Sequence, residues 1–256
     1  MREGNVFGFE TAAVLWDVPL PTATSIIAID VVAPFPRRAP EGSGITGRRA
    51  RLRSHHVDVV DGLAVTSAAR TWCDLAETLT VVDLVAAGEW LVTGNPYGSV
   101  LPMTSIDELT SMVGELRGTR GGARRMRALP LIREGALSRP ETLLRLLLER
   151  AGIPRPKINA HVHDDRGSFL AMPDLCWPEY KVAVEYEGRH HAGTTQFRKD
   201  IRRIERLVDH GWIVVKISAL DLFDEPSEAV ARVSRRLASR GWRGRPSLRH
   251  MHQFTR

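Results

Sequence analysis

Residues 173–191 read Pro173-Asp174-Leu175-Cys176-Trp177-Pro178-Glu179-Tyr180-Lys181-Val182-Ala183-Val184-Glu185-Tyr186-Glu187-Gly188-Arg189-His190-His191. The stretch has the composition of two strands joined by a turn at Pro178-Glu179. Three acids, Asp174, Glu185 and Glu187, are set into it, and two histidines follow at once. On a strand over 181–187, the period of two puts Val182, Val184 and Tyr186 on one face and Ala183, Glu185 and Glu187 on the other. Two acids on one face of an apolar strand are not a core pattern, because a buried carboxylate is costly unless paired, protonated or metal-bound. Asp174, on the preceding strand, is expected as a cross-strand neighbour in an antiparallel pair.

Outward from this stretch, Ser138-Arg139-Pro140-Glu141 reads as a capping box with proline in the first turn. The helix it opens runs to Arg150, and Leu143, Leu144, Leu146, Leu147 and Leu148 make it apolar nearly all round, so it is expected to be buried. Strands follow over 158–163, 169–177 and 181–187, then a helix over 194–209, an apolar strand over 212–217 and a closing helix over 226–239. The order α-β-β-β-α-β-α implies a mixed sheet packed by helices. Glu141, in the first turn of its helix, can reach the same spot as Asp174. Four converging carboxylates suit Mg²⁺ or Mn²⁺, which would polarise a phosphate and activate a water for attack on it. Other readings stay open at this level. Glu141 can serve the cap alone, Asp200 and Arg203 can be a plain helix pair, and the acids can face water from an edge strand. A zinc site from His161, His163, Cys176, His190 and His191 is also conceivable, though its spacing fits no standard pattern.

Jointly, the S-x-x-E helix start, the Pro173-Asp174 strand and the acid-x-acid strand resemble the PD-(D/E)XK nuclease superfamily. More closely, Val184-Glu-Tyr-Glu-Gly-x-x-His191, then Phe197-x-x-Asp200-x-x-Arg203, then Gly211-Trp212-x-Val214 is similar to a bacterial domain family related to the very-short-patch-repair endonucleases. The resemblance covers about 138–237. It implies a restriction-endonuclease-like fold with a mixed central sheet, Mg²⁺ or Mn²⁺ as cofactor and DNA as partner. It implies Asp174 and Glu187 as metal ligands with Glu185 close by, and His191 for proton transfer or for stabilising the leaving oxygen. Arg203 would hold the scissile phosphate, with Asp200, Arg202, Arg206 and His190 also toward DNA. The superfamily's motif lysine is absent, Glu187 standing in its place; the repair-endonuclease-like branch also lacks it.

In the first half, a short helix over 11–15 precedes a buried strand over 25–33 and a loop over 34–44. A hairpin over 51–60 and 63–66 turns at Asp61-Gly62. Helices follow over 67–79, with Ser67 as N-cap, over 81–91, and from Ser105 to about 116. Residues 117–127 then carry five arginines and no acid, which suits an exposed helix start or a linker. The segment from Gly62 to Ala76 resembles AbiEi-family antitoxin-like proteins, in which a winged helix comes before it in many relatives; no such module is expected ahead of Thr11. That likeness implies a possible toxin or operon partner. The run Arg48-Arg49-Ala50-Arg51-Leu52-Arg53, with His55 and His56, either lies against DNA or ends a solvated strand. The expected organisation is a small α+β domain over 1–104, a basic helical connector over 105–136, a nuclease-like domain over 137–242 and a disordered basic tail over 243–256.

The chain's 256 residues allow two modest domains. Hydrophobic content of 43% with 26% charged residues is that of a folded soluble protein. Lys and Arg number 36 against 30 acids, a net +6 that favours polyanionic partners. Two cysteines with no C-x-x-C pair argue against a disulfide framework and for a reducing, cytoplasmic setting. No run approaches the ~20 apolar residues of a membrane span, and Met-Arg-Glu-Gly-Asn-Val lacks a signal-peptide core. Two functions are therefore expected to compete: a metal-dependent DNA endonuclease, and a non-catalytic DNA-binding regulator or antitoxin-like protein on a nuclease fold.

Overall fold

The computed structural model describes residues 4–21, 28–95, 100–188 and 194–247, with backbone alone over 194–201. The protein is mixed α/β and divides into two units, Met1–Arg139 and Pro140–Arg256.

In the first unit, β1 (Val6–Phe7), β2 (Ile29–Pro34), β3 (Ile45–Ala50), β4 (Val57–Val60) and β5 (Leu63–Thr66) form one mixed sheet in the order β3-β2-β1-β5-β4. β1 runs antiparallel to β2 and parallel to β5. The β4–β5 hairpin turns at Asp61 and Gly62, both at positive φ (50° and 78°), the geometry of a tight primed turn. β3 lies outside the sequence expectation, because Ile45-Thr-Gly-Arg-Arg-Ala has no apolar alternation. It forms as an edge strand parallel to β2, and Gly47 is required there because a Cβ would fall 1.7 Å from the Pro40 carbonyl oxygen. The strand expected over 51–60 starts only at Val57; Ser54–His56 is a 3₁₀ turn.

The helices of this unit are α1 (Phe9–Leu15), α2 (Ala68–Leu75), α3 (Val81–Thr93), α4 (Ile106–Glu115) and α5 (Gly122–Ala128). Every residue of α2 is buried, and Trp72 Nε1 donates to the Leu84 carbonyl at 2.8 Å. Thr80 caps α3 by accepting from the Asp83 N–H, and a Ser105–Glu108 capping box opens α4. α4 packs on α2 and α5 on α3. Residues 105–136 therefore belong to the core of the first unit rather than to a connector. Buried Arg125 fastens them: its Nη1 donates to Cys73 O at 3.0 Å, and its Nη2 to Leu116 O at 3.1 Å and Thr119 Oγ1 at 2.6 Å.

The second unit begins in α6 (Arg139–Arg150), whose five leucines are all buried as the sequence predicts. Its strands are β6 (Lys157–Ile158), β7 (Val162–His163), β8 (Phe169–Ala171), β9 (Leu175–Trp177), β10 (Val182–Glu187) and β11 (Ile213–Ser218). A four-stranded mixed sheet has the order β11-β10-β9-β6, and β7-β8 is a separate hairpin. Two expected strands are thus each broken in two. The breaks occur at Asn159, at positive φ of 43°, and at Met172-Pro173-Asp174, where proline has no N–H for a ladder. They lie side by side, since the Asn159 N–H donates to the Asp174 carbonyl at 2.9 Å.

α7 (Thr194–Asp209) packs on β8 and β11. Its Leu207 joins Val162, Leu170, Cys176, Ala183 and Trp212 in one apolar cluster. α8 (Ala219–Phe223), opened by a Ser218–Asp221 capping box, and α9 (Pro226–Ala238) close the unit, with α9 against β10 and β11. Within the described part of the tail, Ser247 N–H donates to Ala151 O at 2.8 Å. Among the described residues no helix is long and apolar enough to cross a membrane.

Candidate active site

The β9–β10 ladder is antiparallel, pairing Cys176 with Ala183 and Leu175 with Val184. One position further, Asp174 faces Glu185. The Tyr186 N–H donates to Asp174 Oδ2 at 2.6 Å, so a side chain rather than a backbone carbonyl ends the ladder. Glu185 follows Ala183 on the face covered by α7. There Arg203 of α7 donates from Nη2 to Glu185 Oε2 at 2.9 Å and from Nη1 to the Met172 carbonyl at 3.4 Å. Glu185 is buried, at 5% exposure.

Glu141, also buried, comes from the first turn of α6. Its Oε2 accepts from Asn159 Nδ2 at 2.7 Å. Asn159 therefore holds two acids by different means, Glu141 through its side chain and the Asp174 backbone through its N–H. The sequence reading missed Asn159. The available signal was an asparagine breaking an alternating run, a residue type that tolerates positive φ.

Electrostatics singles out Asp174. Burial, first, and then the charges of Glu141 and Glu185 push its carboxyl well above the usual 3.8, against the opposing pull of the Tyr186 N–H and Arg203. Glu141, Asp174 and Glu185 form an oxygen-only donor set, the kind a hard divalent ion binds. The donor chemistry suits such an ion, but the oxygens of Glu141, Asp174 and Glu185 do not all lie within 4.8 Å of one another in this structure.

Glu187 stands apart. Its side chain is about half exposed and pairs with Lys216 Nζ. Lys216 is the in-register partner of Glu185 on parallel β11, so it shares the face of both glutamates. The sequence reading missed Lys216 because the contact depends on the parallel crossover. Of the residues expected toward DNA, Arg202 and Arg206 are exposed on α7. The Asp200 side chain, His190 and His191 lie outside the described residues.

The zinc alternative finds little support among the described residues. His161 and His163 pack as rings against Phe169, and burial pushes the Cys176 thiol up to about 12, away from the thiolate that zinc requires. The described trio of potential ligands whose atoms all lie within 4.8 Å of one another is His55, His56 and Glu115, in the first unit. His56 Nδ1 accepts from the Arg53 N–H at 3.3 Å, so the proton of the neutral ring sits on Nε2, which meets Glu115 Oε2 at 3.1 Å. That tautomer presents a hydrogen to the cluster rather than a lone pair for a metal. Burial, first, lowers the pKa of His56 and favours the neutral form.

No family model matches the chain, and no solved structure matches it. Two proteins of Mycobacterium tuberculosis, from different strains and each described as uncharacterized, are 33% identical over 131 residues. The alignment covers 51% of this chain and 48% of each relative, so the chain spans about half the length of the curated relatives it matches.

Proposed function

We propose that the second unit is a metal-dependent DNA endonuclease of the very-short-patch-repair-like type, on a restriction-endonuclease-like α-β-β-β-α-β-α core. One observation carries the reading: burial, and then the charges of nearby Glu141 and Glu185, push the Asp174 carboxyl well above its usual range. Acids arranged against their own charge cluster at functional sites. A bound Mg²⁺ or Mn²⁺ would supply Lewis acidity toward a phosphate and a water.

The chain's own residues do the rest. The Tyr186 N–H fixes Asp174, Asn159 fixes Glu141, and Arg203 fixes Glu185. Lys216, beside Glu187, offers a cation near the position where the superfamily's motif lysine is missing. It would meet negative charge building on the phosphate. Arg202 and Arg206 would hold the DNA backbone.

The ion pairs Glu185–Arg203 and Glu187–Lys216 favour a second reading, a DNA-binding regulator or antitoxin-like protein, because they balance part of the site's charge without an ion. One assay separates the two. The purified protein is incubated with plasmid, nicked duplex and mismatched duplex in Mg²⁺ or Mn²⁺, beside Asp174→Asn and Glu185→Gln. Cleavage lost in both variants supports the enzyme. DNA binding without cleavage, unchanged or tightened in the variants, supports the regulator.

A further inference from the structure

A cavity of about 720 Å³ opens in the first unit beside the end of β3. Seven of its lining residues are arginines and three are acids. Each acid is already matched from the wall: Asp74 by Arg70 at 2.9 Å, Glu77 by Arg48 at 3.4 Å and Glu115 by Arg53 at 3.0 Å. The two Nη groups of Arg125 donate to Cys73, Leu116 and Thr119. Arg49, Arg51 and Arg120 remain. All three are exposed, and none has a carboxylate partner among the described residues. They reach one cavity from different parts of the chain, Arg49 and Arg51 from the end of β3 and Arg120 from the turn between α4 and α5.

The space continues. A second cavity of about 470 Å³ shares Arg48, Glu77 and Arg120 with the first and adds Arg124. The two form a groove with arginines along both lobes. An apolar ligand finds little purchase there, since the Phe9 ring carries the Arg48 guanidinium 3.7 Å above its centroid. Guanidinium forks match phosphate oxygens, and a two-lobed groove suits successive phosphates better than one compact anion.

We propose that this groove takes the phosphate backbone of a nucleic acid strand, making the first unit a nucleic-acid-binding module in its own right. The proposal rests on the endonuclease reading only for the nature of the ligand. It is tested by binding without divalent ions, so failure of cleavage and failure of the groove are told apart.

The experiment is fluorescence anisotropy of the full chain with a labelled duplex and a labelled single strand, in EDTA, across a salt series. The wild type is compared with the triple variant Arg49→Gln, Arg51→Gln, Arg120→Gln. The control is Arg166→Gln, in the turn between β7 and β8. Loss of three phosphate contacts lowers the log–log salt slope by roughly 2–3 and weakens binding on the order of 30-fold at low salt. The control leaves both unchanged. Should the triple variant lose its circular dichroism spectrum, single Arg120→Gln is read instead, with a slope lower by about one. Slope and affinity within about twofold of wild type for a folded variant would overturn the proposal. So would a groove that binds ATP, lost in the variant, while strand binding is unaltered; that outcome assigns it to a free nucleotide.

Discussion

Asp174 stands one residue before the start of β9, across from Glu185, with the Tyr186 N–H closing on its carboxylate at 2.6 Å. The β9–β10 pairing thus stops where two acids meet, while β10 continues to pair with β11 as far as Glu187. A continued backbone ladder would have turned this position into ordinary strand. Pro173 prevents that, and Asp174 takes over as acceptor. The site is therefore produced by an interruption of the strand as much as by the acids placed on it.

Asp174→Asn keeps an acceptor for Tyr186 and removes the charge. Cleavage is expected to fall by on the order of 10² or more, the scale of one electrostatic element in an active site. Stability moves the other way. Because the folded-state pKa of Asp174 lies above its unfolded value, its stabilising contribution is present below about pH 3.8 and is lost as pH rises through the folded pKa. The variant is expected to melt at a higher temperature than wild type at neutral pH, with the difference vanishing near pH 3. Equal melting temperatures across that range would show that Asp174 ionises normally.

Arg203→Met strips the guanidinium from buried Glu185. The expected destabilisation is about 2–4 kcal/mol by chemical denaturation. Adding Glu185→Gln is expected to recover part of it, with a coupling energy of about 1–3 kcal/mol. Additive effects would mean that the two side chains do not act as a pair.

Gly121 and Gly62 both have φ near +80°, but their surroundings differ. A Cβ on Gly121 would meet Ala76 at 2.8 Å, whereas one on Gly62 meets nothing within 4 Å. Gly62→Ala is expected to cost only the left-handed strain, about 1–2 kcal/mol. Gly121→Ala is expected to cost more, roughly 3 kcal/mol, because backbone must also shift. Comparing the two denaturation midpoints separates strain from collision.

Asp30 sets a pH dependence in the first unit. Burial, followed by the Glu10 charge, pushes its carboxyl up to about 6, against the pull of Arg48. Since the folded pKa is the higher one, the contribution of Asp30 to stability is complete below about pH 3.8 and disappears as pH rises through about 6. Asp30→Asn is expected to flatten the stability profile between those values and to gain about 1–3 kcal/mol relative to wild type above it. Urea denaturation at pH 4, 5, 6 and 7 measures the slope.

Much of the architecture was legible in the sequence because local rules dictated it. The five leucines of α6, the Asp61-Gly62 turn and the Ser105–Glu108 box each carry their instruction within a few residues. The cross-strand placement of Asp174 against Glu185 follows from the period of two. Contacts that depend on chain crossovers were not legible. Lys216 reaches Glu187 only through the parallel pairing of β10 and β11, and Asn159 meets Glu141 only because two strand breaks align. β3 escaped because an edge strand can be polar on both faces. α8 need not have escaped, since Ser218-Ala-Leu-Asp221 is a capping signal in plain view.

The aligned breaks at Asn159 and Pro173 also separate the β7–β8 hairpin from the sheet that carries the acids. Its tip, residues 164–168, is organised from within: Asp164 Oδ1 accepts the N–H groups of Arg166 and Ser168, and Gly167 takes φ of 81°. Length added or removed at that tip has no strand register to disturb in the acid-bearing sheet. The base of the hairpin is anchored in the core by Val162, Leu170 and Ala171, so its tip alone is free to change in reach and chemistry while the carboxylates stay in place.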